Sequence, residues 1–499
     1  MPSMFPSFFA LLLSAWSSPG GHSQEAVSLT RTPVEHTRAD GTIARAERCR
    51  LRVPIVRANP DSRPIEIDVW RFLAREGAPD DAPAIYELQG GPGWPGVEER
   101  EIDWDGQVAL MTRVADLVFV GQRGIGTSTD LPCDDGIVGP ATLPDGPFDR
   151  AAVARRIRER SARCREHWDA QGYDTRGLNV RESAADVADV ARLLGHERIQ
   201  LVGGSFGSHW SMAILRFHSE LVARAVLNGM EGPDHTYDSP GGVLAALERL
   251  AAAAESAPEL ADQIPEGGLI AALREVIEAV EAEPFDVEVD DPDTGEPVTV
   301  RLDGDALRDV ALGVTARVGS RRGMATWPAD VLKLHRGEFE DAARAVLAYQ
   351  RNALRLSGAA FHGLDCGSGI TPERLARYQA DPAIAIVGDL SAYYEAACPP
   401  WGTDLGNDFR EGFRTAVPTV IVHGLWDVNT PFENALECLP LFEHATFIPV
   451  DGGSHGAFGE AIREAPGFRD AFLEFLATGS TEDLPDEIAL PPIRWAVPR

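Results

Sequence analysis

The run Gly203-Gly204-Ser205-Phe206-Gly207 sets a serine among small residues, after an apolar segment at 198–202 and before a helical pattern from 208 to about 219. A strand that turns abruptly into a helix holds such a serine on a strained bend, and the flanking glycines let backbone segments pass close to it. A serine hydroxyl becomes a useful nucleophile only with a base to take its proton. Among twelve histidines, His455 is the candidate: it sits in Asp451-Gly452-Gly453-Ser454-His455-Gly456, a glycine-rich loop after the last apolar run. His209 lies four residues along the helix from Ser205 and points away from the bend. His423, His218 and His235 read as packed or structural side chains. The base in turn needs a carboxylate that fixes its tautomer and stabilises the imidazolium. Asp427 closes the run Val420-Ile421-Val422-His423-Gly424-Leu425-Trp426-Asp427, 28 residues before His455. Thr430-Pro431 reads as an N-cap followed by proline at the first helical position, so Asp427 falls in a strand-to-helix loop. Asp451, too near the ring in sequence, and Glu231, just past another strand, are its rivals.

Backbone N–H groups must then receive the negative oxygen of a tetrahedral intermediate. Phe206, directly after the serine, offers one. Gly90-Gly91-Pro92-Gly93, at the end of an apolar run at 84–88, offers the other from Gly91. Trp94, which follows that loop, is a candidate substrate contact.

These groups converge only if strand ends meet along one edge of a sheet. Short apolar runs at 84–88, 116–120, 198–202, 222–227, 419–422 and 446–449 alternate with helical patterns at 183–194, 208–219, 431–439 and 468–476. That alternation argues for an α/β fold with a mostly parallel sheet. Ahead of it, 49–57 and 64–73 alternate apolar and polar residues around Asn59-Pro60-Asp61-Ser62 and read as an antiparallel hairpin. Between about 231 and 412 the pattern is largely helical, broken by one hairpin at 285–289 and 298–302. Ser205 and Asp427 are 222 residues apart, more than a bare core needs. The chain therefore reads as one core, 40–230 and 413–480, with a mainly helical cap inserted at 231–412. A proline- and acid-rich tail at 481–499 is expected on the surface.

Composition narrows the chemistry. The net charge is −31, which argues against a nucleic-acid partner, because phosphate backbones need a basic footprint. The 44% hydrophobic content excludes global disorder. Lys333 is the single lysine and stands between leucines, so the chain has no Walker A loop and no lysine near the serine. A largely apolar stretch from Phe8 to Trp16 is too short to cross a bilayer and fits a secretory signal at 1–23, which implies a secreted or periplasmic protein. No later stretch is long and apolar enough for an integral membrane span. Six cysteines without a Cys-x-x-Cys pair suit disulfides in an exported protein, with fifteen connectivities open. The pairs expected are Cys133–Cys164 and Cys366–Cys398, each closing a loop of about 30 residues.

The motifs occur in a telling order: Gly90-Gly91-Pro92-Gly93, Arg123-Gly124-Ile125-Gly126-Thr127-Ser128, Gly204-Ser205-Phe206-Gly207, Asp427-Val428-Asn429-Thr430-Pro431 and Gly453-Ser454-His455. Together they resemble the prolyl iminopeptidase/tripeptidyl aminopeptidase branch of the α/β-hydrolases, from Cys49 to about Leu476 and least through the cap. The segment from about Cys398 resembles the end of secreted tripeptidyl aminopeptidases, and the two expected disulfides resemble that group too. The resemblance implies an α/β-hydrolase core with Ser205 as nucleophile, Asp427 as acid and His455 as base, and no metal or cofactor. It also implies carboxylates on the cap side that hold a substrate's free amine, for which Glu231 is the best-placed residue. Two positions depart from the family: Gln89 replaces the histidine before Gly-Gly-Pro-Gly, and Gly121 replaces the aspartate before Gln-Arg-Gly.

The expectation is an exported serine aminopeptidase acting on a small peptide through an acyl-enzyme. A carboxylesterase or lactonase with the same three residues is the alternative, since the serine turn does not distinguish ester from amide. A non-catalytic binding protein on this fold is a further alternative, though the chain keeps all three residues. The sequence sets no oligomeric state.

Overall fold

Uninterrupted apolar runs make the centre of the sheet. The structure is a computed structural model that describes residues 27–498 apart from 60, 80, 95–96, 144–147 and 309–318. The expected signal at 1–23 lies outside them. Strands β4 (Ala84–Leu88), β5 (Leu117–Val120), β6 (Ile199–Ser205), β7 (Val222–Met230), β10 (Thr419–Gly424) and β11 (Ala445–Asp451) run parallel, and β5 and β10 are buried at every position. Strands covered on both faces need this continuous apolar pattern. On one edge, β1 (Ser28–Thr37), β2 (Ile43–Pro54) and β3 (Pro64–Phe72) form an antiparallel meander that joins the sheet through β3 and β5. At the other edge, the short β12 (Ile488–Ala489) pairs with β11. The sheet order is β1-β2-β3-β5-β4-β6-β7-β10-β11-β12. This is the strand order of the α/β-hydrolase fold, extended by β1 and β12 at its two edges.

Helices cover both faces. Val180–Leu194 and Phe206–Phe217 bury Val187, Val190, Trp210 and Ile214 against one face. Gln107–Met111, Ala457–Glu464 and Pro466–Thr478 cover the other, with Met111, Phe472 and Phe475 among the buried side chains.

The long insertion leaves the sheet after β7 and returns at β10. It contains the expected hairpin, as β8 (Phe285–Asp290) and β9 (Pro297–Leu302), and is otherwise helical in its described residues. Its apolar centre is built by helices Pro240–Glu255, Gly268–Ala282, Arg321–His335 and Glu340–Asn352. Trp426 and Val428, on either side of Asp427, belong to that centre as well. Helix Ala359–Ser368 and Trp401 pack instead on the sheet's own core, so the insertion is not one lobe.

The tail is more than a surface strap. Besides adding β12 to the sheet, it buries Trp495 near Trp426, with ring centroids 6.3 Å apart. Its mixed composition hides this because only two residues enter the sheet.

Cys133–Cys164 and Cys366–Cys398 form disulfides, while Cys49 and Cys438 are free and buried. Each bridge stabilises the chain by roughly 3–4 kcal/mol in the loop-closure picture. Alkylation should therefore label no cysteine in the native protein and two, Cys49 and Cys438, after denaturation without reductant. Labelling at any other cysteine before reduction would contradict this pairing.

Candidate active site

Ser205 ends β6 and opens the helix Phe206–Phe217, with φ 56° and ψ −132°. It is the one non-glycine residue with positive φ among those described. Such a conformation costs of order 1–3 kcal/mol and persists only where the surroundings enforce it. Here they do. A methyl group on Gly203 would overlap the Gly207 carbonyl oxygen, and one on Gly207 would overlap that of Leu88. A methyl on Gly204 would stand 2.6 Å from Asn228 Oδ1. Only glycine lets β4, β6 and the helix close around the serine.

Asp427 is fully buried and fully satisfied. Asn429 N–H and Thr430 N–H donate to Oδ1 at 2.9 and 3.0 Å, and the Thr430 hydroxyl donates to Oδ2 at 2.8 Å. His455 Nδ1 lies 3.0 and 2.9 Å from the two oxygens. Thr430 is thus not the expected N-cap: the following helix begins at Phe432 without a side-chain cap, and Thr430 serves the carboxylate instead. Asp451 ends β11 exposed to solvent, which removes it as the rival acid.

His455 rides the loop after β11. Gly424 lets that loop approach, since a methyl there would overlap the carbonyl oxygens of Gly453 and Ser454. Glu460 accepts from Ser454 N–H at 3.0 Å and from its hydroxyl at 2.6 Å, which fixes the loop. The ring lies over Gly229 of β7, where a methyl would come within 3.1 Å of Cε1, one strand from Ser205. Ser205 Oγ and His455 do not hydrogen-bond to each other. Such contacts commonly tighten only with substrate in place.

Burial disfavours a charged His455 ring, but the charge and hydrogen bond of Asp427 outweigh it and hold the pKa above the ordinary histidine value. Burial likewise pushes the Asp427 carboxyl up, and His455 more than reverses the shift. Two other buried histidines have partners of their own, although His423 Nε2 also lies 3.7 Å from Asp427 Oδ2. His209 Nε2 meets Ser368 Oγ at 2.8 Å, and its Nδ1 meets the Gly232 carbonyl at 3.0 Å. His423 is held between Met230 N–H and the Thr430 carbonyl.

The glycine loop after β4 reaches the serine. A methyl on Gly90 would lie 3.1 Å from Ser205 Cβ. Gly91 has φ 110°. Trp94 stands 58% exposed, so no packing fixes it towards the serine.

Glu231 follows β7, whose Met230 is in register with Ser205, and is 8% exposed. Its carboxylate accepts no hydrogen bond from a described residue, and its nearest partner is His209 Nδ1 at 3.9 Å. His209 is held neutral, its pKa pushed down to about 4 by burial. Two further carboxylates, unmarked in the sequence, join it. Burial raises Glu231 well above the usual range, and the charges of Asp365 and Asp238 add to this. Burial also raises Asp365, which accepts a hydrogen bond from Tyr394 at 3.1 Å. Burial and then Asp427 push Asp238 up to about 7, against the pull of His455. Among the described residues, no arginine or lysine neutralises the three. Tyr237 stacks on Tyr394 beside them, with ring centroids 4.5 Å apart.

No family model matches the chain, and no curated protein does. Solved structures resemble it at low identity and low TM-score. One is a thermophilic esterase from Thermogutta terrifontis, 15% identical over 86% of this chain and 99% of that one, with a TM-score of 0.35. Another is a proline iminopeptidase-related protein from Thermus thermophilus, at 19% identity, 85% and 96% coverage and a TM-score of 0.33. A third is the enol-lactonase from Burkholderia xenovorans, at 14% identity, 83% and 96% coverage and a TM-score of 0.32. These likenesses say nothing about substrate. Among the described residues, no helix is long and apolar enough to cross a membrane.

The electrostatics set a pH expectation. A base works only when neutral, and a raised pKa keeps His455 protonated to higher pH. Activity that uses it should rise with pH through a midpoint above about 6.5, the ordinary histidine value, with Asp238 and Glu460 adding to the shift from Asp427. Asp427→Asn should lower kcat about 10⁴-fold and move the midpoint down. An unshifted midpoint in that variant would show that another base is at work.

Proposed function

We propose that the chain is a serine hydrolase that releases N-terminal residues or short peptides from small peptide substrates. The observation that carries this reading is a trio of carboxylates, buried Glu231 and Asp365 and half-buried Asp238 next to His455, with no arginine or lysine among the described residues to neutralise it. A substrate ammonium is the partner such a site lacks. An ester or lactone ring brings no positive charge and leaves the trio unsatisfied.

In the proposed reaction, Ser205 Oγ attacks the carbonyl carbon while His455 Nε2 takes the hydroxyl proton. Asp427 holds Nδ1 and stabilises the imidazolium. The oxyanion rests on the N–H groups of Gly91 and Phe206. His455 then gives its proton to the leaving amine, and water, deprotonated by the same ring, releases the acyl group. Two disulfides suit export to an oxidising compartment.

Hydrolysis of a free-amine peptide amide, its N-acetylated counterpart and a simple ester should separate the readings. The free-amine peptide should be favoured over the acetylated one by at least about 10²-fold in kcat/KM, as expected when a buried charged pair is lost. Ser205→Ala should abolish turnover of all three. Equal rates with and without the free amine would instead make the chain an esterase or lactonase.

Glu231→Gln and Asp238→Asn should raise KM for the peptide and leave the ester unchanged. Stability gives an internal check, because a carboxyl with a raised folded pKa destabilises the fold once it ionises. For Asp238 that loss develops between the unfolded value of about 4 and the folded value of about 7. Asp238→Asn should therefore raise Tm at pH 8 and leave it nearly unchanged at pH 4.

A further inference from the structure

Residues 90–93 form a glycine-rich loop, and among the described residues no backbone–backbone hydrogen bond holds it. A loop of that composition is mobile unless something fixes it, yet an oxyanion donor must be aimed before the reaction starts. One buried side chain meets that need. Gln122 Nε2 donates to the carbonyls of Gln89 and Gly90 at 3.1 and 2.9 Å, and its Oε1 accepts from Gly93 N–H at 2.9 Å. Two acceptors on one side and a donor on the other leave a single amide orientation that satisfies all three.

Gln122 itself stands on a rigid base. Gly121 N–H donates to the Asp68 carbonyl at 2.8 Å. Arg123 is fully buried, pairs with Asp186 and donates to the carbonyls of Ile55 and Gly177.

The consequence follows from the planarity of the peptide bond. The Gly90 carbonyl and the Gly91 N–H belong to one trans peptide unit and point in opposite directions. A donor seated on Gly90 O therefore fixes where Gly91 N–H points, and it polarises that N–H as well. Gly90 lies against Ser205, so the aimed group is beside the serine.

We propose that Gln122 is the positioning residue of the oxyanion site: it orients the Gly90–Gly91 peptide so that Gly91 N–H meets the developing negative oxygen. It touches no substrate. The inference rests on acyl transfer at Ser205 but not on any preference for a free amine.

Gln122→Met and Gln122→Glu keep the side-chain length. The first removes every hydrogen bond, and the second turns a carboxylate oxygen on two carbonyls. With 4-nitrophenyl acetate, both should lower kcat roughly 10²-fold, the usual effect of a misplaced or missing oxyanion donor. KM should stay within about threefold, and the pH midpoint set by His455 should not move. Inhibition by a trifluoromethyl ketone, whose adduct carries the oxyanion, should weaken by the same factor as kcat. The proposal is overturned if folded variants keep kcat within about threefold, or if kcat falls while ketone inhibition does not. Failure of both variants to fold would overturn it too, by making Gln122 a purely structural residue. Full turnover by Ser205→Ala would instead overturn the acyl-transfer reading, so the two failures are distinguishable.

Discussion

An ionised carboxylate inside a protein costs several kcal/mol unless donors or a cation replace the water it loses. Near Ser205 and His455 the chain sets buried Asp427, Glu231 and Asp365 and half-buried Asp238, and treats them differently. Asp427 receives two backbone N–H groups, a hydroxyl and the His455 ring, so its charge is retained and its position fixed. Glu231, Asp238 and Asp365 receive almost nothing from the described residues beyond one tyrosine hydroxyl. A fold under selection for stability alone would replace them with neutral side chains. Their persistence beside the serine makes sense if a cation arrives with the substrate.

The rest of the molecule holds that arrangement together. The parallel strands deliver Ser205, Glu231, Asp427 and His455 to one edge of the sheet. Trp426 and Val428 sink into the apolar centre of the insertion, so a shift of that lobe would be felt at the carboxylate between them. The tail strengthens the link by placing Trp495 beside Trp426. Cys366, next to Asp365, is bonded to Cys398, one helical turn beyond Tyr394. A covalent bond thus ties the segment that carries Asp365 to the one that carries its partner Tyr394.

Much of this was legible in the sequence wherever the signal is local. The serine turn, the loop of Asp427 and the loop of His455 each lie at a strand end marked by glycine, and strand order does the remaining work. Thr430 misled because a threonine before proline fits an N-cap, whereas the strongest acceptor within its reach was the carboxylate three residues back. β1 was missed because a mostly exposed edge strand lacks an apolar run. Asp238 and Asp365 were invisible for another reason. Each lies among ordinary helical and loop residues, and only the packing of the insertion over the sheet brings them to Glu231. Gln122 stood in view beside a quoted motif, but its role depends on which carbonyls it reaches in space.

In the proposed reaction, Ser205 is acylated by substrates that present a free amine to the carboxylate trio. Rapid acid quench after mixing with a short free-amine peptide ester, followed by intact-mass and peptide mapping, tests it most directly. An adduct with the mass of the N-terminal acyl fragment is expected on Ser205, and little or none with the N-acetylated ester. An adduct on another residue, or equal acylation by both esters, would contradict it.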